Sequence, residues 1–138
     1  MALIVEEIAA ADVADLRSRV LREGEAHVGF EDDEEPTTLH LGALVDGRVV
    51  GVATFALRER GVYQLRGMAV EPALQGTGVG RAVLVEAERR LRALGARQLW
   101  ANGRDTALGF YERAGWRVEG EGYEVIGLPH HRVVRDLG

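Results

Sequence analysis

The chain has 138 residues, enough for one domain, and its 46% hydrophobic content can form a core without disulfides or a structural metal. It contains no cysteine, and all 17 basic residues are arginine, which excludes thiolate nucleophiles, cysteine zinc sites, redox dithiols and a Schiff-base lysine. A formal net charge of -5 argues against a nucleic-acid partner and mildly favours cationic ones. The first residues carry acids where a signal peptide needs basic side chains, and no apolar run approaches the roughly 20 residues that cross a bilayer. A soluble, cytoplasmic protein with no membrane partner is expected.

Leu3 to Ile8 reads as a short strand, after which Asp12 can cap a helix whose apolar positions are Val13, Leu16, Val20 and Leu21. From Glu23 to Pro36 the pattern dissolves into a loop or broken helix that contains the acidic run Glu31 to Glu35. Thr37 to Val45 and Arg48 to Leu57 are strands joined by the hairpin dipeptide Asp46-Gly47, and Val62 to Val70 follows after Arg60-Gly61 as the third strand of a meander. Val79, Val83, Ala87, Leu91 and Leu94 then recur at helical spacing, with Gly95 as the stop. Arg97 to Ala101 reads as a buried strand and Thr106 to Arg113 as a short helix. Trp116 to Val125 and His131 to Arg135 read as two closing strands. His27 and His40 have no partner at metal-ligand spacing, so no metal is expected.

The chemistry-bearing segment is Gln75-Gly76-Thr77-Gly78-Val79-Gly80-Arg81, which leaves a strand and enters the long helix. Alternating glycines at a helix start can present bare backbone N-H groups to an anion at the positive end of the helix dipole, and Arg81 fits a negative ligand there. A tight turn with close helix packing is the plainer account, and both remain open. A P-loop is excluded because it needs a lysine, and a dinucleotide fingerprint because the glycines are spaced GxGxG rather than GxGxxG.

Gln75-x-x-Gly78-x-Gly80 resembles motif A of the GCN5-related N-acetyltransferase (GNAT) superfamily. Leu65 to Pro72 is similar to the family's central strand, and Ala107 to Trp116, with Phe110 and Tyr111, to its motif B. Leu39 to Ala43 and Gly127 to His130 are loosely similar to bacterial members of the ElaA kind. The resemblance implies an α/β GNAT fold, a central mixed and mostly antiparallel sheet flanked by helices, with residues 1–138 as a single acetyltransferase domain. It also implies transfer of an acetyl group from acetyl-CoA directly to a primary amine, on a small molecule or a peptide N-terminus, and it leaves a homodimer open.

By the same resemblance, the coenzyme diphosphate is expected on the main chain of Gln75, Gly76, Thr77, Gly78, Val79, Gly80 and Arg81, and the pantetheine arm beside Met68 and Val70. The Val70 N-H would hold the oxyanion, and the Tyr111 phenol would donate to the departing thiolate. Asn102 is a candidate coenzyme contact, although Arg104 stands where the family more often has asparagine. Glu124 and His130, in the last hairpin, are candidates on the acceptor side. Since no base is evident, a noncatalytic acyl-CoA sensor or interaction module is the alternative.

Overall fold

Among the residues that the computed structural model describes, 2–20 and 33–138, seven strands hydrogen-bond into one sheet. They are β1 (Leu3–Glu7), β2 (Leu39–Val45), β3 (Arg48–Glu59), β4 (Val62–Val70), β5 (Gln98–Arg104), β6 (Arg117–Val125) and β7 (Leu128–Asp136). The spatial order is β1-β2-β3-β4-β5-β7-β6, and β4 with β5 is the one parallel pair. Leu21, His27, Glu31, Asp32 and most of the expected loop lie outside the described residues.

Each face of the sheet buries a different set of side chains. Helix α1 (Ala10–Val20) lays Val13 and Leu16 on Val52 and Ala69. On the other face, α2 (Val79–Ala93) and α3 (Leu108–Arg113) pack Val83, Leu84, Leu91 and Tyr111 against Leu41, Phe55, Leu65 and Leu99. Several boundary expectations need correction, among them β5, which runs on past Ala101 to Arg104. Asp12 lies inside the first turn of α1, because the chain already turns at Ala9, whose carbonyl accepts from the Asp12 and Val13 amides. Leu94 is 66% exposed, because it is the capping residue where the Gly95 and Ala96 amides bond back to Arg92 and Leu91 and end the apolar stripe. The closing strand β7 is longer than expected and takes in His130.

Beneath α1 runs a buried polar network. The Arg17 guanidinium pairs with the Asp33 carboxylate at 2.8 Å and donates to the Thr54 hydroxyl, while His40 meets Thr54 through Nδ1 and the Asp33 carbonyl through Nε2, each at 2.8 Å. Asp33, from the acidic run, is thereby committed to the fold.

The site is positioned by an irregularity in β4. Thr54 pairs with Arg66 and Val52 with Ala69, so Ala53 alone faces both Gly67 and Met68, a bulge with Gly67 at φ 63°. The extra residue moves the alternation by one: Tyr63 and Leu65 point toward α2, and so do Met68 and Val70. On the far side, pairing of β4 with β5 runs only from Val62–Gln98 to Leu65–Ala101, and beyond it the two strands diverge.

Candidate active site

The opening between β4 and β5 leads into a cleft of about 520 Å³, lined by Met68, Val70, Gln75, Gly76, Gly78 and Gly80 with Arg81, Phe110 and Tyr111. The Glu71 amide donates to Val50 of β3 at 2.9 Å, so by strand alternation the Val70 carbonyl and the Val70 N-H both point the other way, toward the gap left by β5. The Val70 carbonyl accepts from the Gln75 side-chain amide at 3.1 Å. A side chain thus takes the place of the missing strand partner, and the neighbouring Val70 N-H faces the cleft.

The glycines of the turn divide their work. Gly76 and Gly78 sit at φ 80° and 95°, and a Cβ on either would meet no atom within 4 Å, so conformation and an open approach are what they supply. Gly80 is different. A Cβ there would stand 3.1 Å from Met68 Cε and 3.2 Å from the Phe110 ring, which makes close packing of α2 its reason. The Val79 side chain is buried in the core, and the Thr77 hydroxyl donates to the Leu74 carbonyl, leaving their main chain as the part that borders the turn. The first helical amide bond runs from Ala82 to Gly78, so the amides of Val79, Gly80 and Arg81 are those that a helix start leaves without an intrahelical acceptor. Arg81 reaches the last carbonyl of α3, that of Arg113, at 3.0 Å. Its place in the first turn is therefore explained by the negative end of a second helix as well as by any anion.

Tyr111 is buried between Phe110 and Trp116, each with its ring centroid 5.3 Å away, and burial pushes its phenol up to about 12. It therefore stays a proton donor across the physiological range. Glu71 is a tie, not a base: its carboxylate pairs with Arg19 at 2.6 Å and Arg48 at 3.6 Å, and chiefly the Arg19 hydrogen bond holds it below the usual carboxylate range.

Of the remaining candidates, Asn102 and His130 fall on the α1 face of the sheet. Gly103 and Val133 face Tyr111, so their strand neighbours Asn102, Arg104, His130 and Arg132 project to the opposite side. Asn102 does not line the cleft; its carbonyl accepts from the Tyr123 hydroxyl. The Tyr123 ring stacks on His130 with centroids 6.3 Å apart. Sequence reasoning passed over Tyr123, since only the pairing of β6 with β7 puts it beside Asn102. It also missed the Gly67 bulge, although a lone glycine inside a strand is a signal for one. Glu124, adjacent to Tyr123 on β6, turns to the other face and is exposed. His131 pairs with Asp105 at 2.7 Å and its ring edge covers Gly122, which stitches the last hairpin to the short turn that precedes α3.

A sheet that opens between two parallel strands beside a glycine-rich helix start is the frame of a GNAT-fold N-acetyltransferase. The acetyltransferase (GNAT) family model matches residues 5–116, and the chain belongs to that family. It is 29% identical over 140 residues to the uncharacterized N-acetyltransferase YitI of Bacillus subtilis, covering 96% of this chain and 94% of that one. In fold it is similar to ElaA of Escherichia coli, with a TM-score of 0.85 at 16% identity over 98% of this chain and 100% of the other. It is likewise similar to an aminoglycoside 6'-N-acetyltransferase solved with coenzyme A, with a TM-score of 0.80 at 13% identity and 97% of each chain covered. The protein is an N-acetyltransferase of the GNAT family, a family that uses acetyl-CoA. Among the described residues no helix is long and apolar enough to cross a membrane.

Proposed function

We propose that residues 1–138 act as one catalytic domain that binds acetyl-CoA in the β4–β5 cleft and passes its acetyl group directly to a primary amine. The observation that carries this is the main chain at Val70: the Val70 carbonyl is held by Gln75, and the Val70 N-H, in the preceding peptide, is left facing a gap that has no strand in it. Such a donor, fixed before the reaction begins, lowers the energy of the oxyanion formed when the amine attacks the thioester carbonyl.

The other residues take roles set by their chemistry. The amides around Gly76 to Arg81 hold the diphosphate, since Gly76 and Gly78 have no side chain to block it and the helix dipole favours negative charge. Met68 and Val70 offer main-chain partners to the pantetheine amides, in the manner of an added strand. The Tyr111 phenol, protonated by virtue of its burial, donates to the thiolate as the carbon–sulfur bond breaks. A covalent acyl-enzyme is not part of the scheme, because the chain has no cysteine and its sequence shows no Ser-His-Asp order to carry one. Asn102 belongs to the acceptor side in this scheme, since it sits on the opposite face from Tyr111.

Two measurements test the proposal together: calorimetric titration with acetyl-CoA, and thiol release over a panel of polyamines, aminoglycosides, amino acids and peptide N-termini. Binding with release on at least one amine is expected. Binding without release on any would favour the noncatalytic sensor, and absence of binding would remove both readings.

A further inference from the structure

The acceptor's ammonium must lose a proton before it can attack, and neither Glu71 nor Gln64 is suited to take it. The Arg19 hydrogen bond holds the Glu71 carboxyl below the usual range and so weakens it as a base, and Gln64 is a neutral amide whose carbonyl accepts from Arg58 at 2.7 Å. His130 is a different case. Its Nδ1 lies 2.8 Å from the Leu128 carbonyl, and a carbonyl can only accept, so in the neutral ring the proton sits on Nδ1 and Nε2 is left with a bare lone pair. Among the described residues, that nitrogen has no hydrogen-bond partner.

Its position matters as much. His130 pairs in register with Arg104, the last residue of β5, which lies beyond Ala101, where the pairing of β5 with β4 ends. It lies on the face away from Tyr111, backed by the Tyr123 ring, whose hydroxyl is fixed by Asn102. Tyr111 thus lines the cleft on one face of the sheet, and His130 stands on the other face, on the strand next to β5 and level with Arg104. Nδ1 is turned toward Leu128, which leaves Nε2 on the side away from it. His131, one residue on, is unsuited: its Nδ1 is on Asp105 and its ring edge lies over Gly122 of β6, away from the opening.

On this basis we propose that His130 Nε2 is the general base of the reaction, and that the amine approaches from the α1 face of the sheet, which deepens the proposed function and rests on it. His130 takes one proton from the ammonium and passes it to solvent. The freed nitrogen then forms its bond to the thioester carbon, and the carbon–sulfur bond breaks with its electron pair on sulfur. The second nitrogen proton replaces the one that Tyr111 gives to the thiolate, so amide, free thiol and one released proton balance the reaction.

The test compares His130→Asn with wild type and with His131→Gln, using acetyl-CoA and the amines that support release in wild type. Asparagine places an amide N-H near the Nδ1 position and removes the base. His130→Asn is expected to lower kcat at least about 100-fold, the lower end of what a positioned base supplies, with acetyl-CoA affinity within twofold. Long-range proton–nitrogen spectra of the histidine rings in wild type should show the proton on Nδ1 of His130. A kcat within threefold of wild type, a comparable fall in His131→Gln, or a proton on Nε2 would each overturn the proposal. Failure of wild type itself to bind acetyl-CoA or to release thiol with any amine would instead overturn the transferase scheme beneath it.

Discussion

The Gln75 side-chain amide donates to the Val70 carbonyl at 3.1 Å, and this bond joins the glycine turn to the end of β4. Val70 is where β4 has lost β5, so without Gln75 its peptide would have no protein partner on that side. Gln75→Ala should therefore loosen the Val70–Glu71 peptide, which keeps only its Glu71 N-H bond to Val50. A hydrogen bond of this kind contributes about 0.5–1.5 kcal/mol, so acetyl-CoA binding should weaken roughly two- to tenfold. Calorimetry checks this, and unchanged affinity would mean that β3 alone holds the peptide in place.

Gly78 and Gly80 should fail in different ways. Gly78→Ala puts a side chain at φ 95°, which costs roughly 1–2 kcal/mol of stability by backbone strain although nothing clashes. Gly80→Val must instead displace Met68 and Phe110, an overpacking cost of about 1–3 kcal/mol. Both should bind acetyl-CoA more weakly while circular dichroism shows the fold retained. A double variant with undiminished affinity would refute the amide cradle.

Tyr111→Phe should keep the fold and the acetyl-CoA affinity and lower turnover, since only the proton donor is lost. The phenol also leaves a mark on stability. Its folded pKa of about 12 lies above the ordinary 10, so the unfolded chain ionises first and the stability it contributes is full below pH 10 and lost as pH rises toward 12. No lysine titrates in that window, because the chain has none. Denaturation midpoints measured from pH 9 to 12 should fall less steeply in Tyr111→Phe, and an equal slope would place the ionisation elsewhere, as on Tyr123.

Glu71 ties α1 to the end of β4 through Arg19. Its carboxyl is lowered from 4.5, so the stability it adds is present above that value and disappears as pH falls through the lowered pKa. Glu71→Gln should melt below wild type at pH 7, and the gap should close in acid. A gap that persists at low pH would show that the carboxylate charge is not what matters.

How far the amino-acid sequence alone reached depends on the range of the interactions involved. Strand β4 was legible to the residue, because apolar alternation and the flanking Arg60-Gly61 and Glu71-Pro72 are local signals. The Asp46-Gly47 hairpin was legible too: both residues take positive φ, which that dipeptide tolerates at little cost. The glycine turn and its helix were equally plain, since spacing and capping act within a few residues. Which face a side chain occupies was another matter. A strict two-residue period puts Met68 with Gln64 and Arg66, and only the cross-strand register with β3, one residue against two at Gly67 and Met68, turns it into the cleft. The same holds for Asn102, Tyr123 and His130, which are up to 28 residues apart in the chain and meet because β5, β7 and β6 lie side by side. Local preferences are written in neighbouring residues, whereas register, and with it the faces of the gap, is settled by hydrogen bonds between strands that the linear order does not reveal.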